Sequence, residues 1–300
     1  DLAVSLDSPK YLQPGETVML NASVSNIGLS NETDVELSLL VDGAIVNHTR
    51  IQQLSVGESY VLTYKWTPIE EKTYNLTAFS PPVFGEETIS DNMVTKLVRV
   101  RWIKGRVLFD QTHWTDDIRM YSVWVSNLTE SGYIVEPHTS GSITPQVLEN
   151  YDVFIIPQAC MQYSSEELFA IKSFVLNGGG LVIIGDDYPS IYTSLTEFAG
   201  ITWSWEISGW WGQTSDITQH PITDGVRSVY FGAPISQLNV QQPAVDIVRG
   251  GFKGYVEVML AVSEVEFGRV IAIADEQTVS DGYIIYADNM QLAVNMVNWL

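Results

Sequence analysis

Residues 152–187 read DVFIIPQACMQYSSEELFAIKSFVLNGGGLVIIGDD, and their pattern decides the fold of most of the chain. Val153 to Ile156 and Leu181 to Ile184 are short apolar runs, as strands buried on both faces require. Between them Leu168, Ile171, Phe174 and Val175 recur at helical spacing, and Ser164 or Ser165 with Glu167 supplies a capping signal. Gly178, Gly179 and Gly180 end that helix, because glycine enters the left-handed region without a Cβ clash. Two apolar strands joined by one amphipathic helix predict a right-handed βαβ unit with parallel strands.

The same alternation continues outward. Val107 to Asp110 reads as a strand, and 117–129 as a helix carrying Ile118, Tyr121, Val125 and Leu128. A strand at Tyr133 to Glu136 precedes a short helix from Thr144 to Asn150, with Pro145 suited to its first turn. Beyond the central unit come a helix near Ile191 to Phe198 and strands near 245–248, 256–262 and 269–274. A last helix starts at an Asp288 cap and carries Leu292, Val294, Met296, Val297 and Leu300. The pattern predicts a doubly wound, flavodoxin-like α/β domain over 103–300.

Residues 1–102 read differently. Val18, Leu20, Ala22 and Val24 alternate with polar residues, as do Val35, Leu37 and Leu39, and Asp42-Gly43 is a hairpin turn signal. Further alternating runs at 60–66, 73–78 and 94–100 predict an all-β, immunoglobulin-like sandwich with Trp66 in its core. The chain is therefore read as multidomain, a β-sandwich followed by an α/β domain.

Composition narrows the function. A net charge of -21 and a pI near 4.3 exclude nucleic acid as a partner, since no basic face offsets phosphate repulsion. Cys160 is the one cysteine, so an intrachain disulfide is excluded. Asn21, Asn31, Asn47, Asn75 and Asn127 each begin Asn-x-Ser/Thr, which predicts an extracellular or cell-surface glycoprotein. No apolar run is long enough for a transmembrane segment. The opening on Asp1 without Met and the close inside a helical pattern read as a mature product or a piece of a longer chain.

Ligands of such sheets bind outside the carboxyl ends of the strands. The residues expected there are Asp110, Thr112, His113 and Trp114, then Gln158 and Cys160, then Asp186, Asp187 and Tyr188, then Asp275 and Glu276, with Asp281 and Asn289 following. Three readings compete for the acids. Asp110, Asp186 and Asp275, with Asp187 and Asp281 nearby, could hold Ca²⁺ or Mg²⁺ through oxygen ligands. They could bind a sugar hydroxyl or a peptide amine. Helix and turn capping leads, because the compact spacing of a calcium loop is missing. No cofactor other than that Ca²⁺ is implied. Trp203, Trp205, Trp210 and Trp211 read first as a loop folded over the sheet edge to bury its own rings; the alternative is a surface for stacking a sugar or anchoring a protein, with Trp210 and Trp211 the exposed pair. His48 and His138 read as loop residues and His220 as a turn residue. Cys160 with His113 is the one nucleophile–base pair available, although Ile155-Ile156-Pro157-Gln158-Ala159 before the cysteine is no tight strand-to-helix turn.

Two resemblances add to this reading. Asp1-Leu2-Ala3-Val4, Gly15-Glu16-Thr17-Val18, Val24-Ser25-Asn26-Ile27-Gly28, Val41-Asp42-Gly43, Val56-Gly57-Glu58-Ser59, Lys65-Trp66-Thr67-Pro68 and Asp91-Asn92 make the first segment resemble the CARDB family, adhesion-related modules of archaeal and bacterial surface proteins. The resemblance implies adhesion or spacing and no catalysis. Leu108 to His113, Tyr151-Asp152-Val153, Ser165 to Leu168, Gly178 to Val182, His220 to Val226 and Asp288 to Ala293 make the second resemble class I glutamine amidotransferase-like domains. Within that superfamily it is most similar to the non-enzymatic GldG/intraflagellar-transport type. Where the family's Gly-x-Cys-x-Gly turn would place its nucleophile, this chain has Gly185-Asp186-Asp187-Tyr188, and Asp275-Glu276-Gln277 replaces the His-x-Glu pair. The expectation is a non-catalytic surface protein that binds other surface proteins or glycans, or self-assembles. The alternatives are a repeat unit of a surface layer or filament, and a hydrolase using Cys160 and His113.

Overall fold

The computed structural model describes residues 1–86, 88–205, 211–232, 234, 236–251 and 254–300. The chain divides into two compact units, Asp1–Ile103 and Lys104–Leu300. The first contains strands β1 (Leu2–Asp7), β2 (Tyr11–Leu12), β3 (Val18–Asn26), β4 (Glu32–Val41), β5 (Ala44–Leu54), β6 (Ser59–Trp66), β7 (Lys72–Phe79) and β8 (Met93–Val100). They form two sheets, ordered β1-β3-β6 and β2-β8-β7-β4-β5. Leu20, Ala22 and Val24 of one sheet and Leu37, Leu39, Leu76 and Ala78 of the other point inward and are fully buried, the alternation a sandwich needs. Trp66 is buried edge-on against Tyr74, with ring centroids 5.1 Å apart. Asp42 and Gly43, at φ 48 and φ 80, make the tight turn between β4 and β5. The Asp42-Gly43 turn implied a strand after it but β5 was not itself assigned, because His48, Arg50 and Gln52-Gln53 break up its apolar alternation; His48 lies on β5 and not in a loop.

The second unit begins with β9 (Gly105–Asp110), α1 (Ser122–Glu130), β10 (Tyr133–His138) and α2 (Pro145–Leu148). The stretch around Asp152 to Asp187 gives β11 (Val153–Ile156), α3 (Ser165–Leu176) and β12 (Gly180–Ile184), with β11 and β12 parallel. Ser164 and Glu167 form a reciprocal capping box on α3. At the other end Gly178 is left-handed, and a Cβ on Gly179 would lie 2.4 Å from the Phe174 ring. Then come α4 (Pro189–Thr196), β13 (Ile201–Trp205), β14 (Gly212–Thr214), β15 (Asp216–Ile217), β16 (Val229–Phe231) and β17 (Ser236–Val240). The unit closes with β18 (Val245–Gly250), β19 (Glu257–Val265), β20 (Gly268–Ile273) and α5 (Asn289–Trp299).

The main sheet runs β10-β9-β11-β12-β20-β19-β17-β13. Its first five strands are parallel, while β19, β17 and β13 continue it antiparallel. A uniformly doubly wound sheet does not describe that second half. Strands β13 to β17 lie where the sequence reading assigned none, and β13 overlaps the stretch from Trp203 to Trp211 that it placed in a loop; their apolar positions are too short a series to show a period. Trp203 and Trp205 accordingly lie on β13, Trp203 buried against Tyr192 and Trp205 exposed.

Three local expectations need correction. The helix expected over 117–129 starts as a 3-10 turn at Ile118–Tyr121, and its largest fully buried side chain is Trp124, whose Nε1 donates to the Ala293 carbonyl at 3.1 Å. Asp288 sits before α5 but its carboxylate does not cap it; it accepts from the Arg227 and Ser228 N–H groups instead. His138 ends strand β10 and is not in a loop.

Candidate functional site

Parallel strands bring their carboxyl ends to one edge, so β9, β11, β12 and β20 deliver Asp110, Gln158, Asp186 and Asp275 side by side. Two separate polar clusters result. The first is centred on His113. Its Nδ1 lies 2.8 Å from Asp110 Oδ2 and 3.0 Å from Thr112 Oγ1, and its Nε2 lies 3.3 Å from Glu167 Oε2. Tyr163 stacks on the imidazole at 3.7 Å and donates its hydroxyl to Asp110. Asp110 is fully buried and also accepts from the Thr112 N–H and hydroxyl.

Burial by itself would discharge all three ionisable groups, and their mutual contacts outweigh it. Burial presses the His113 value down, but the hydrogen bond and charge of Asp110, with Glu167 behind them, raise it above the ordinary imidazole value. Burial pushes Asp110 up, yet the His113, Thr112 and Tyr163 hydrogen bonds hold it below the usual carboxylate value. Glu167 is held low in the same way by the Ser164 and Ile143 N–H groups. His113 thus lies between two carboxylates, and the shifts of all three groups run in the direction that favours their charged forms. An open hollow of about 450 Å³ lies beside it, walled by Met161, Gln162 and Ser164 among others.

The second cluster lies beyond β11. Gln158 Oε1 accepts from the Asp186 N–H and the Tyr192 hydroxyl, and its amide donates to Asp187. Asp186 accepts the Ser236 N–H at 2.9 Å. Asp275 accepts from the Gly232 N–H, the Gln277 N–H and the Thr278 hydroxyl. Carboxylate oxygens of Asp186, Asp275 and Glu276 lie within 4.8 Å of one another. Burial raises Asp275 to about 6 and also raises Glu276. Three such oxygens have the chemistry of a hard-cation site. Asp110 is not among them, because it faces His113; Glu276 takes the place the sequence gave it.

Other expected site residues stand apart. Asp281 accepts from the Val123 N–H at 2.8 Å and from the Ser122 hydroxyl, so it caps α1 across the fold. Cys160 is exposed as a residue, and partial desolvation of its thiol with the charges of Asp116 and Asp187 pushes that thiol up. Trp114 and Tyr188 are exposed and both carry left-handed backbone, at φ 50 and φ 62. Tyr188 is the residue that makes the turn from β12 into α4, where a nucleophile was looked for at Asp186. Trp211 is exposed and Trp210 lies outside the described residues. His220 caps a 3-10 turn through Nδ1.

Sequence reasoning missed Tyr163, Ser236 and Gly232 as partners and saw Glu167 only as a helix cap. Tyr163 and Glu167 flank the start of α3, and that helix start packs at the mouth of β9. A tyrosine beside a capping box that follows a strand end was the available signal.

Residues 1–82 match the family model of the CARDB domain, and the first unit contains that domain. No curated protein matches the chain. Among solved structures, the mmIFT52 N-terminal domain is similar at 16% identity, covering 65% of this chain and 96% of that one with a TM-score of 0.54. That likeness is one of fold. The CARDB domain of PF1109 from Pyrococcus furiosus is 23% identical over 34% of this chain and 94% of its own, with a TM-score of 0.32. A domain of a Methanosarcina acetivorans protein described as a cell surface protein is 31% identical over 33% of this chain and 90% of its own, with a TM-score of 0.29.

Proposed function

We propose that this chain is a non-catalytic binding or assembly protein of the cell surface. In this reading its second unit is a flavodoxin-like, amidotransferase-like α/β domain without the catalytic dyad. One observation carries the non-catalytic part: both ring nitrogens of His113 are engaged by carboxylates, so neither is free to take a proton from Cys160. A general base needs an accessible lone pair near neutral pH, and a nucleophilic cysteine needs a lowered pKa. Cys160 is shifted the other way.

The amidotransferase-like part is supported by the five parallel strands and by the fold likeness to the mmIFT52 domain, whose coverage matches the length of the second unit. The surface part is supported by the CARDB domain and by its occurrence in a protein described as a cell surface protein. No helix among the described residues is long and apolar enough to cross a membrane. Partners at the surface would be other proteins or glycans.

Two experiments test the proposal. Incubation of the full chain with glutamine should release no ammonia above buffer, and release abolished by Cys160→Ser would overturn the non-catalytic reading. An antibody against the first unit should label intact cells that make the protein. Labelling only after permeabilisation would overturn the surface reading.

A further inference from the structure

The five Asn-x-Ser/Thr sequences are equivalent in the sequence and inequivalent in the fold. Asn47 donates Nδ2 to the Thr63 carbonyl at 2.9 Å, a bond that joins edge strands of the two sheets. Asn127 donates Nδ2 to the Val123 carbonyl at 3.0 Å inside α1. Asn21 is half-buried in the middle strand of its sheet, with Asp7 on one side and Thr63 on the other. Asn31 is exposed before β4, its Oδ1 accepts the Val56 N–H, and its Nδ2 bonds to none of the described residues. Asn75 is exposed on a backbone fixed in both directions by Asp42, through the Asn75 N–H to Asp42 Oδ1 and the Asp42 N–H to the Asn75 carbonyl.

We infer that Asn31 and Asn75 are the N-glycan acceptors of this chain, and that the amides of Asn47 and Asn127 are structural. The inference rests on the surface reading above. The step is transfer from a polyprenyl-phosphate-linked oligosaccharide. A C–N bond forms between Nδ2 and the anomeric carbon, and the C–O bond to phosphate breaks. The lipid phosphate leaves with the electron pair, and the Nδ2 proton passes to a base of the transferase. That chemistry needs a free amide nitrogen, which Asn31 and Asn75 present and the Asn47 and Asn127 bonds withhold.

Exposed apolar side chains also lie beside these two positions. Leu29 is fully exposed two residues from Asn31, and the exposed Val56 is bonded to Asn31 through its own N–H. Leu97, also exposed, lies directly opposite Asn75 in the β7–β8 register. Glycans at these two sites would cover apolar surface that this acidic sandwich otherwise leaves to water.

The test is glycopeptide mass spectrometry on the full chain, exported behind a foreign signal from a host that makes such a donor. Asn31 and Asn75 should be occupied at least about tenfold more than Asn21, Asn47 and Asn127, because reaching the last two requires local opening. Asn31→Gln and Asn75→Gln should each remove one glycan, and the double variant should be bare. Equal occupancy of all five, or a bare wild-type chain, would overturn the inference. Urea-unfolded chain offered to the purified transferase should gain glycan at Asn47 and Asn127, and failure to do so would show that their hydrogen bonds are not the cause. Forced export makes this result independent of where the native protein resides, so the surface reading stands or falls separately on the antibody labelling.

Discussion

Replacing His113 with glutamine tests the physical role of the first cluster. The substitution keeps a polar side chain but removes the imidazole that contacts Asp110 and Glu167, and with it the protonated form those contacts favour. Asp110 is fully buried, so its carboxylate would lose the partner that offsets its desolvation. Breaking a buried ion pair from one side costs about 3–5 kcal/mol. The low end applies here, because the Thr112 N–H, the Thr112 hydroxyl and the Tyr163 hydroxyl still solvate Asp110. For a unit of this size about 3 kcal/mol lowers Tm by roughly 6–12 °C. Near-UV circular dichroism, which follows the tyrosines and tryptophans of the second unit, reads that shift at pH 7.

The pH dependence carries a sign. His113 is raised above 6.5 in the folded chain, so its contribution is complete below that value and is lost as pH rises through the raised one. Asp110 and Glu167 are lowered below 3.8 and 4.5, so theirs is complete above those values and is lost as pH falls through the lowered ones. Wild-type stability from the cluster should therefore be greatest between the two carboxylate values and the histidine value, and His113→Gln should lack the alkaline decline. A variant melting within about 2 °C of wild type, with the same pH profile, would refute the reasoning.

Three further outcomes are expected. Asp281→Ala removes the acceptor at the start of α1 and should cost about 1 kcal/mol in urea unfolding, with an unchanged m-value. Gly200→Ala places a Cβ 2.2 Å from the Gln241 carbonyl at a residue with φ 79, and should cost about 2 kcal/mol or more by the same assay. Alkylation of Cys160 by iodoacetamide should be half-maximal above pH 9.0, since the thiol is raised from that value; rapid modification at neutral pH would contradict the electrostatics of that edge.

The βαβ core was legible because each of its signals is local. Two apolar runs, a helical period, a capping box at Ser164 and a glycine stop all lie within 36 residues of sequence, 152–187. The sandwich was legible from alternation and from the Asp42-Gly43 turn, whereas β5 was hidden by its polar residues. In the antiparallel half β18 and β19 were legible as apolar runs but β13 and β17 were not, since those two are short and pair across more than thirty residues. Site residues divide the same way. Parallel topology alone placed Asp110, Asp186 and Asp275 at one edge. Their partners depend on long-range returns: Glu167 comes to His113 on the start of α3, and Ser236 comes to Asp186 on an antiparallel strand. These contacts decide whether the acids do chemistry or hold the fold, and no local pattern announces them.

Nitrogen NMR of the His113 ring across pH 5 to 9 measures directly whether the imidazole is a clamp or a base. Both nitrogens should remain protonated past the ordinary imidazole value of about 6.5, because Asp110 and Glu167 each hold one. Titration at or below that value, with one nitrogen carrying a free lone pair at pH 7, would contradict the clamp and return His113 to candidacy as a catalytic base.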